Sequence, residues 1–279
     1  MKIFTTRTGL SDYLEKQKNT GKTIGFVPTM GALHNGHLSL IKIAADKTDL
    51  VVCSIFVNPT QFNDPKDLQN YPRPIDSDTR KLEDSLCDVL FLPDATEMYT
   101  KDEAWQIDLG YLDKILEGKI RPGHYQGVTQ IVKKFFDVVK PDYAFFGQKD
   151  YQQFMVISRM VDMMELGVKM VMCPIVREAD GLAMSSRNIH LSETERVQAL
   201  ALSKVLIKTK NDFDKYSVTE LKENVINALN ASNGIQLEYF EICDSKTLMS
   251  VSSKQHESLV ALIAARVNHT RLIDNIILK

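Results

Sequence analysis

Two histidines three residues apart, His34 and His37, lie in the run Phe26-Val-Pro-Thr-Met-Gly-Ala-Leu-His-Asn-Gly-His-Leu, which also carries Gly31 and Gly36. The residues before this run read as a buried strand and those after it as a helix, so the run is a strand-to-helix turn. The first amides of a helix have no carbonyl to bond and sit at the positive end of its dipole, which favours an anion there. Glycines leave room for a phosphate, and imidazoles at i and i+3 can reach one bound group together and donate to its oxygens. The turn is therefore a candidate ATP site. Two other uses stand beside this one. One histidine could cap the turn while the other sits satisfied in the core, or the two could begin a zinc site, although no Cys, Asp or Glu accompanies them at ligand spacing.

A second run, Glu178-Ala-Asp-Gly-Leu-Ala-Met-Ser-Ser-Arg-Asn, follows an apolar stretch ending at Val176 and sets two hydroxyls and a guanidinium in consecutive positions. Ser185, Ser186 and Arg187 could clamp a triphosphate through charge-assisted hydrogen bonds. A polar loop joining two domains would carry the same residue types.

Groups of this kind need a frame. Up to about residue 175, short β-branched or aromatic runs at 23–27, 50–57, 88–92, 143–146 and 168–173 alternate with stretches of helical period, the pattern of a parallel, doubly wound α/β sheet. The clearest helix covers 123–140, where Val128, Ile131, Val132, Phe135, Phe136 and Val139 recur at three- and four-residue steps and Pro141 supplies the stop. A further helix is expected from Asp150, as cap of the amides at 151–153, to a point before Gly167. Beyond Pro174 the pattern changes: Ser192-Glu-Thr-Glu and Ser217-Val-Thr-Glu look like capping boxes, and three strand-like runs follow near Leu237, Leu259 and Ile273. The expected organisation is an α/β domain over 1–175 and a smaller α+β domain over 176–279.

The 279 residues are 44% hydrophobic and 25% charged, with 34 basic and 36 acidic side chains and a net charge of −2, so no basic face holds nucleic acid or anionic lipid by charge. The longest apolar run, 259–265, is far short of the roughly 18 residues that span a bilayer. The polar start Met-Lys-Ile-Phe-Thr-Thr-Arg forms no secretory apolar region, and Cys53, Cys87, Cys173 and Cys243 are scattered without Cys-x-x-Cys spacing. A cytoplasmic protein with reduced cysteines, no membrane contact and no nucleic-acid partner is the expectation.

The histidine turn and the Ser-Ser-Arg run together resemble the HxGH and KMSKS-type signatures of the nucleotidyltransferase superfamily that includes class I aminoacyl-tRNA synthetases. That resemblance implies attack on the α-phosphate of ATP. Within the superfamily, Pro28-Thr-Met-Gly-Ala-Leu-His-Asn-Gly-His, Ile55-Phe-Val-Asn-Pro-Thr-Gln-Phe, Arg121-Pro-Gly-His, Phe146-Gly-Gln-Lys-Asp-Tyr-Gln-Gln and Met184-Ser-Ser-Arg-Asn resemble, in order, the motifs of the pantothenate synthetase (pantoate–β-alanine ligase) family. Thr270-Arg-Leu-Ile-Asp-Asn is similar to that family's C-terminal end.

The resemblance implies a Rossmann-like N-terminal domain and a two-step ligation: pantoate attacks ATP to give a pantoyl adenylate and pyrophosphate, then β-alanine displaces AMP. It places Met30, Gly31, Ala32, Leu33, His34, Asn35, Gly36 and His37 at ATP, the two histidines at its phosphates and His37 as proton donor. It brings Gly147, Gln148, Lys149 and Asp150 to the same nucleotide, together with Val176, Met184, Ser185, Ser186 and Arg187. Gln61 and Gln153 would hold pantoate, Gln61 also lying near β-alanine, with Asn58 beside them and Arg121 in a further active-site loop. Magnesium would come with ATP; no protein-held metal and no tightly bound organic cofactor is implied, and the family suggests a homodimer. Position 148 is Gln where many relatives carry Glu, which keeps hydrogen bonding and removes a charge.

Each of these residues also has a plainer use. A glutamine in a first helical turn is ordinary, and only the motif separates Gln153 from Gln152. Arg121-Pro-Gly-His makes an ordinary turn in which His124 caps a helix, and the proline-rich stretch 63–78 is either a lid over the site or a surface loop. Three rivals use the same ATP turn: transfer of AMP to a phosphate-bearing acceptor, tRNA charging, for which no basic face or anticodon-binding extension is present, and a regulatory ATP module, against which the intact run 184–188 argues.

Overall fold

Strands buried on both faces need helices on both, and a crossover helix between successive parallel strands supplies them. In this computed structural model, which describes residues 1–100 and 103–279, the chain takes that course. It runs through β1 (Lys2–Phe4), α1 (Arg7–Lys18), β2 (Ile24–Thr29), α2 (Asn35–Ala45), β3 (Leu50–Ile55), α3 (Pro65–Asn70), α4 (Ile75–Glu83) and β4 (Val89–Phe91). It continues through α5 (Ala95–Met98), α6 (Leu116–Ile120), α7 (His124–Val139), β5 (Tyr143–Gly147), α8 (Tyr151–Met163) and β6 (Lys169–Cys173). The six strands are parallel in the order β1-β4-β3-β2-β5-β6, a Rossmann-like doubly wound sheet whose growth reverses direction between β2 and β5.

Successive side chains of a strand point to opposite faces, and β2 shows both cores. Val27 packs with Cys53, Leu90 and Phe145 against Leu40 and Ile41 of α2. Phe26 faces the other way, where Phe135 of α7 meets Phe26, Phe91 and Phe56 edge-on at centroid distances of 5.6, 6.1 and 6.2 Å. β2 extends two residues past its expected end. Its pairing with β3 reaches Thr29, whereas its pairing with β5 stops at Phe26, and Pro28 has no N–H to give either neighbour. The strands thus part at the switch point, where open α/β sheets take their ligands.

α7 keeps its expected bounds, between Gly123 at φ 81° and Lys140 at φ 46°. α8 starts at Tyr151, next to Asp150 as expected, but without Asp150 as its cap. A 3-10 turn over Gln148–Asp150 runs straight into it, so Asp150 lies inside a helical run and its carboxylate faces Lys149 instead of capping. The stretch 63–78 is not one loop either: Asp64 caps α3 through the amide of Lys66, with Pro65 at its first position, and α4 begins at Ile75.

The contact pattern separates two units, Met1–Gln148 with Gln152–Pro174, and Lys149–Tyr151 with Ile175–Lys279. The second contains α9 (Glu193–Asn211), α10 (Val218–Asn230) and an antiparallel sheet of β7 (Ile235–Asp244), β8 (Leu259–Val267) and β9 (Thr270–Ile277). Both capping boxes form with reciprocal bonds, Ser192 with Glu195 and Ser217 with Glu220. Leu202, Leu206, Leu221, Val225, Ile242 and Ile263 belong to its core. Among the described residues no helix is long and apolar enough to cross a membrane.

All four cysteines are free and buried. Burial pushes the thiols of Cys87 and Cys243 up to about 12 and that of Cys173 to about 11, and raises Cys53 as well. The thiolate is the reactive form. We expect none of the four to react with a thiol-exchange chromophore within minutes at pH 8 in the native protein, and all four to react after denaturation; rapid native labelling of any one would contradict its burial.

Candidate active site

The turn after β2 is held by the protein's own groups. Thr29 Oγ1 donates to Ser54 O at 2.7 Å and accepts from Gly31 N at 3.2 Å. Gly31 then takes φ 80°, and a Cβ there would lie 3.0 Å from Ile55 Cγ2 and 3.1 Å from Asp78 Oδ2. Ala32 follows at φ 49°, a conformation that a residue with a Cβ takes only when its surroundings enforce it. The enforcing group is Asp78 of α4, 0% exposed: Oδ2 accepts from Ala32 N at 2.7 Å and Oδ1 from Leu33 N at 2.8 Å. Lys81, one turn on, donates to Leu33 O at 2.6 Å.

The amides of Ala32 and Leu33, which the sequence offers to a phosphate, are therefore taken by a carboxylate of the protein. His34 is the N-cap of α2, and Asn35 and Gly36 are its first-turn residues. His34 and His37 lie side by side with ring centroids 4.0 Å apart. The amide of His34 donates to His37 Nδ1 at 3.3 Å. That bond leaves Nδ1 its lone pair and puts the ring proton of a neutral His37 on Nε2.

Beyond β3 a 3-10 turn over Pro59–Gln61 packs against α7. Asn58, 1% exposed, donates from Nδ2 to Gln61 Oε1 at 3.0 Å and to Gly127 O at 3.1 Å, and accepts at Oδ1 from the hydroxyl of Tyr99 at 2.5 Å. Its bonds are internal, so Asn58 supports Gln61, whereas the sequence reading put it at the substrate. His124 does not cap α7. A carbonyl only accepts and a guanidinium only donates, so His124 Nδ1 donates to Gln61 O at 2.8 Å while Nε2 accepts from Arg121 at 3.1 Å. Burial pushes the phenol of Tyr99 up to about 12.

The two adjacent glutamines of α8 separate cleanly. Gln152 is buried, accepts from Glu117 N and donates to Leu112 O and Ile115 O, and so holds the chain ahead of α7. Gln153 is half-buried and has no side-chain hydrogen bond among the described residues, which leaves its amide for a ligand.

In the second unit, Met184 N donates to Val176 O, Glu178 N to Leu182 O, and Arg177 bridges to Ala183, so the run 176–184 is a tight hairpin and not a slack connecting loop. Asn188 donates to Glu178 Oε1 at 2.6 Å and to Ala183 O at 3.0 Å, and Arg187 N donates to Ser185 Oγ. Arg177 grips the buried Asp274 with two bonds, at 2.6 and 3.0 Å; burial raises that carboxyl, and the guanidinium pulls it back. Asn275 donates to Lys149 O at 3.0 Å, and Lys149 Nζ lies 3.2 Å from Asp150 Oδ2.

Asp78 and Tyr99 were not singled out from the sequence, and Asp274 and Asn275 entered the sequence reading only as the end of the run Thr270-Arg-Leu-Ile-Asp-Asn. Asp78 sits between Ile75 and Leu82 at three- and four-residue steps, on an otherwise apolar face, and Asp274 has the inward parity of Thr270 and Leu272 in β9. A charged residue on a buried stripe is the signal in both cases.

The sheet brings the ends of β3, β2 and β5 to one edge, with paired imidazoles after β2 and amide side chains after β3 and β5: a Rossmann-like α/β protein with its polar groups gathered at the switch point. The family model of pantoate–β-alanine ligase matches residues 2–277. Pantothenate synthetase of Bacteroides thetaiotaomicron is 46% identical over 277 residues, 99% of this chain and 98% of the relative. The crystal structure of pantothenate synthetase from Thermus thermophilus aligns with TM-score 0.93 at 38% identity, covering 99% of each chain. A pantoate–β-alanine ligase from Francisella tularensis, complexed with β,γ-ATP and β-alanine, aligns with TM-score 0.81 at 35% identity, covering 99% of this chain and 97% of that one. The chain belongs to the pantoate–β-alanine ligase family, and it is a ligase that joins pantoate to β-alanine.

Replacing Asp78 frees the amides of Ala32 and Leu33 and releases a strained turn. Asp78→Ala is expected to lower ligation at least a hundredfold, and Asp78→Asn, which keeps one acceptor oxygen, to fall between it and the parent. Steady-state rates with circular dichroism of both variants check this; parent-like activity in Asp78→Ala would contradict it.

Proposed function

We propose that the chain makes its amide bond in two steps, through a pantoyl adenylate, with ATP as substrate. The observation that carries the proposal is the His34–His37 turn, which begins where β2 leaves β5 and is preset by Asp78. A carboxylate is a poor acylating agent, and a mixed anhydride with AMP gives it a good leaving group. The protein then needs mainly to position groups and stabilise charge. Attack of the pantoate oxygen on the α-phosphorus forms a P–O bond and breaks the bond to pyrophosphate. Attack of the β-alanine amine on the acyl carbon then releases AMP.

His37, with its proton on Nε2, donates to a phosphate oxygen as charge builds on the leaving pyrophosphate, and His34 donates beside it. The helix end disfavours the imidazolium form while bound phosphate favours it. Met30, Gly31, Asn35 and Gly36 line the nucleotide at the same turn, and Ala32 and Leu33 contribute its shape. Gly147 and Gln148 follow β5. In the second unit we assign Lys149, Ser185, Ser186 and Arg187 to the phosphates, Asp150 to the ribose or base, and Val176 and Met184 to apolar contact with the nucleotide.

Gln61 and Gln153 hold pantoate, with Arg121 behind Gln61. Magnesium enters bound to the phosphates as part of the substrate. A homodimer acting in the cytoplasm completes the proposal; four buried free thiols fit a reducing compartment.

The test is product analysis with Mg-ATP and pantoate, with and without β-alanine. Pyrophosphate is expected with pantoate alone in a single turnover, and AMP and pantothenate only once β-alanine is added; no pyrophosphate before β-alanine would exclude the adenylate. His34→Ala and His37→Ala are each expected to slow the first step a hundredfold or more, as loss of positioned charge stabilisation does. Rapid mixing with quench measures that step, and parent-like rates in both would remove the histidines from the mechanism.

A further inference from the structure

An amide side chain can turn either its oxygen or its nitrogen to a neighbour, and only a group of fixed character decides which. At the end of β3 that group is the carbonyl of Gly127, which can only accept. Asn58 therefore shows it Nδ2, at 3.1 Å, and the other hydrogen of the same nitrogen goes to Gln61 Oε1 at 3.0 Å. The oxygen of Asn58 is left on the opposite side, where the hydroxyls of Tyr99 and Thr60 lie at 2.5 and 3.2 Å. With its own oxygen held by Asn58, Gln61 must turn Nε2 away from the cluster; it lies 3.1 Å from Met30 Sδ, a weak acceptor that a ligand oxygen readily replaces.

The direction of this relay cannot reverse in place. Flipping Asn58 would set its oxygen against the carbonyl oxygen of Gly127, two acceptors with no hydrogen between them, whereas the hydroxyls of Tyr99 and Thr60 could donate or accept. Nor can the carbonyl withdraw, because the backbone of α7 touches the 59–61 turn: a Cβ on Gly127 would lie 2.3 Å from Thr60 O and 2.7 Å from Gln61 N. The phenol of Tyr99 keeps its proton far above neutral pH, so it remains a donor to Asn58 wherever the enzyme works.

We infer that Gly127, Asn58 and Tyr99 fix Gln61 as a donor-only contact, so that this point of the site selects an acid substrate by an oxygen able to accept, and that Tyr99 is a positioning residue for that selection. The inference rests on the proposed contact between Gln61 and pantoate. It sets the chemical class: a hydroxyl or carboxylate oxygen is taken, and an acid carrying hydrogen or an ammonium group in place of that hydroxyl is refused.

The experiment compares parent, Tyr99→Phe, Thr60→Val and Gln61→Glu in pantoate-dependent pyrophosphate release, using pantoate and its two mono-deoxy analogues, with thermal melts alongside. In Tyr99→Phe the KM for pantoate should rise about tenfold, the value of one buried hydrogen bond, while the KM for ATP and the melting temperature stay near the parent's. The parent's preference for pantoate over one deoxy analogue should shrink in the same variant, because Asn58, having lost one of its anchors, then holds the amide of Gln61 less firmly. Thr60→Val should shift both in the same direction by less, and serves if Tyr99→Phe does not fold. Gln61→Glu, equal in shape but with acceptors only, should lose pantoate turnover. Unchanged pantoate KM and unchanged preference in folded Tyr99→Phe would overturn the inference, as would a parallel rise in ATP KM with a lowered melt. Absence of pantoate-dependent release in the parent would instead remove the reading of Gln61 on which the inference stands.

Discussion

A carboxylate with no exposed surface must find its hydrogen bonds inside the protein, and at Asp78 both are backbone amides of the turn that follows β2. Among the described residues no cation pairs with it. The arrangement binds in two directions. It holds Ala32 in a left-handed conformation that nothing local favours, and it fixes α4 to the turn, since withdrawing the helix would leave a buried carboxylate and two amides unmatched. The neighbouring bond from Lys81 to Leu33 O closes the same clasp from the carbonyl side. What looks from the chain like an anion site over 31–37 is thus divided: its first half already holds an anion supplied by the protein, and the proposed contact with phosphate falls to the half from His34 onward.

The sheet decides where that second half points. β2 stays paired with β3 to Thr29 but leaves β5 after Phe26, and the turn starts where the strands part. The end of β3 lies on one side of β2 and the end of β5 on the other, so the segments that carry Gln61 and Gln153 follow the two strands that flank β2. The second unit uses the same device with other groups. Its hairpin over 176–184 is held by Arg177, gripped by buried Asp274, and the neighbouring Asn275 holds the backbone at Lys149. In both units a buried polar residue far away in sequence shapes a short segment that carries the family's motif.

That distance explains what the sequence could and could not disclose. The central strands, α7 and both capping boxes follow from local period and local chemistry, and their positions are close to those expected. β1 escaped because three residues at a sheet edge carry no period. The stretch 63–78 reads as a loop because its prolines are usually breakers, although Pro65 stands at a first helical position, where proline is favoured. Asp150 reads as a cap until the 3-10 turn ahead of it is seen to run on into α8. Asp78 is marked in the sequence only as a charged residue on an otherwise apolar helix face, because the amides that it holds lie 45 and 46 positions away. Asn58 has a plain motif, and the structure adds that its polar atoms are spent on Gly127, Gln61 and Tyr99.

The choice of amides to hold an acid has a consequence for the proposed first step. A guanidinium laid against the pantoate carboxylate would stabilise its charge most strongly in the ground state, before the oxygen attacks, and catalysis gains only from interactions that strengthen toward the transition state. Arg121 donates to the carbonyl of Gln61 and to His124, and on the proposed assignment the group at the acid is then the neutral amide of Gln61. Neutral N–H groups fix the direction of the acid while matching less of its charge, which keeps the attacking oxygen reactive. On the proposed assignment the full charges, Lys149 and Arg187, belong to the phosphates, where negative charge moves onto the leaving pyrophosphate. The division of labour between glutamines and cations is then a division between a group that must be oriented and one that must be stabilised as it departs.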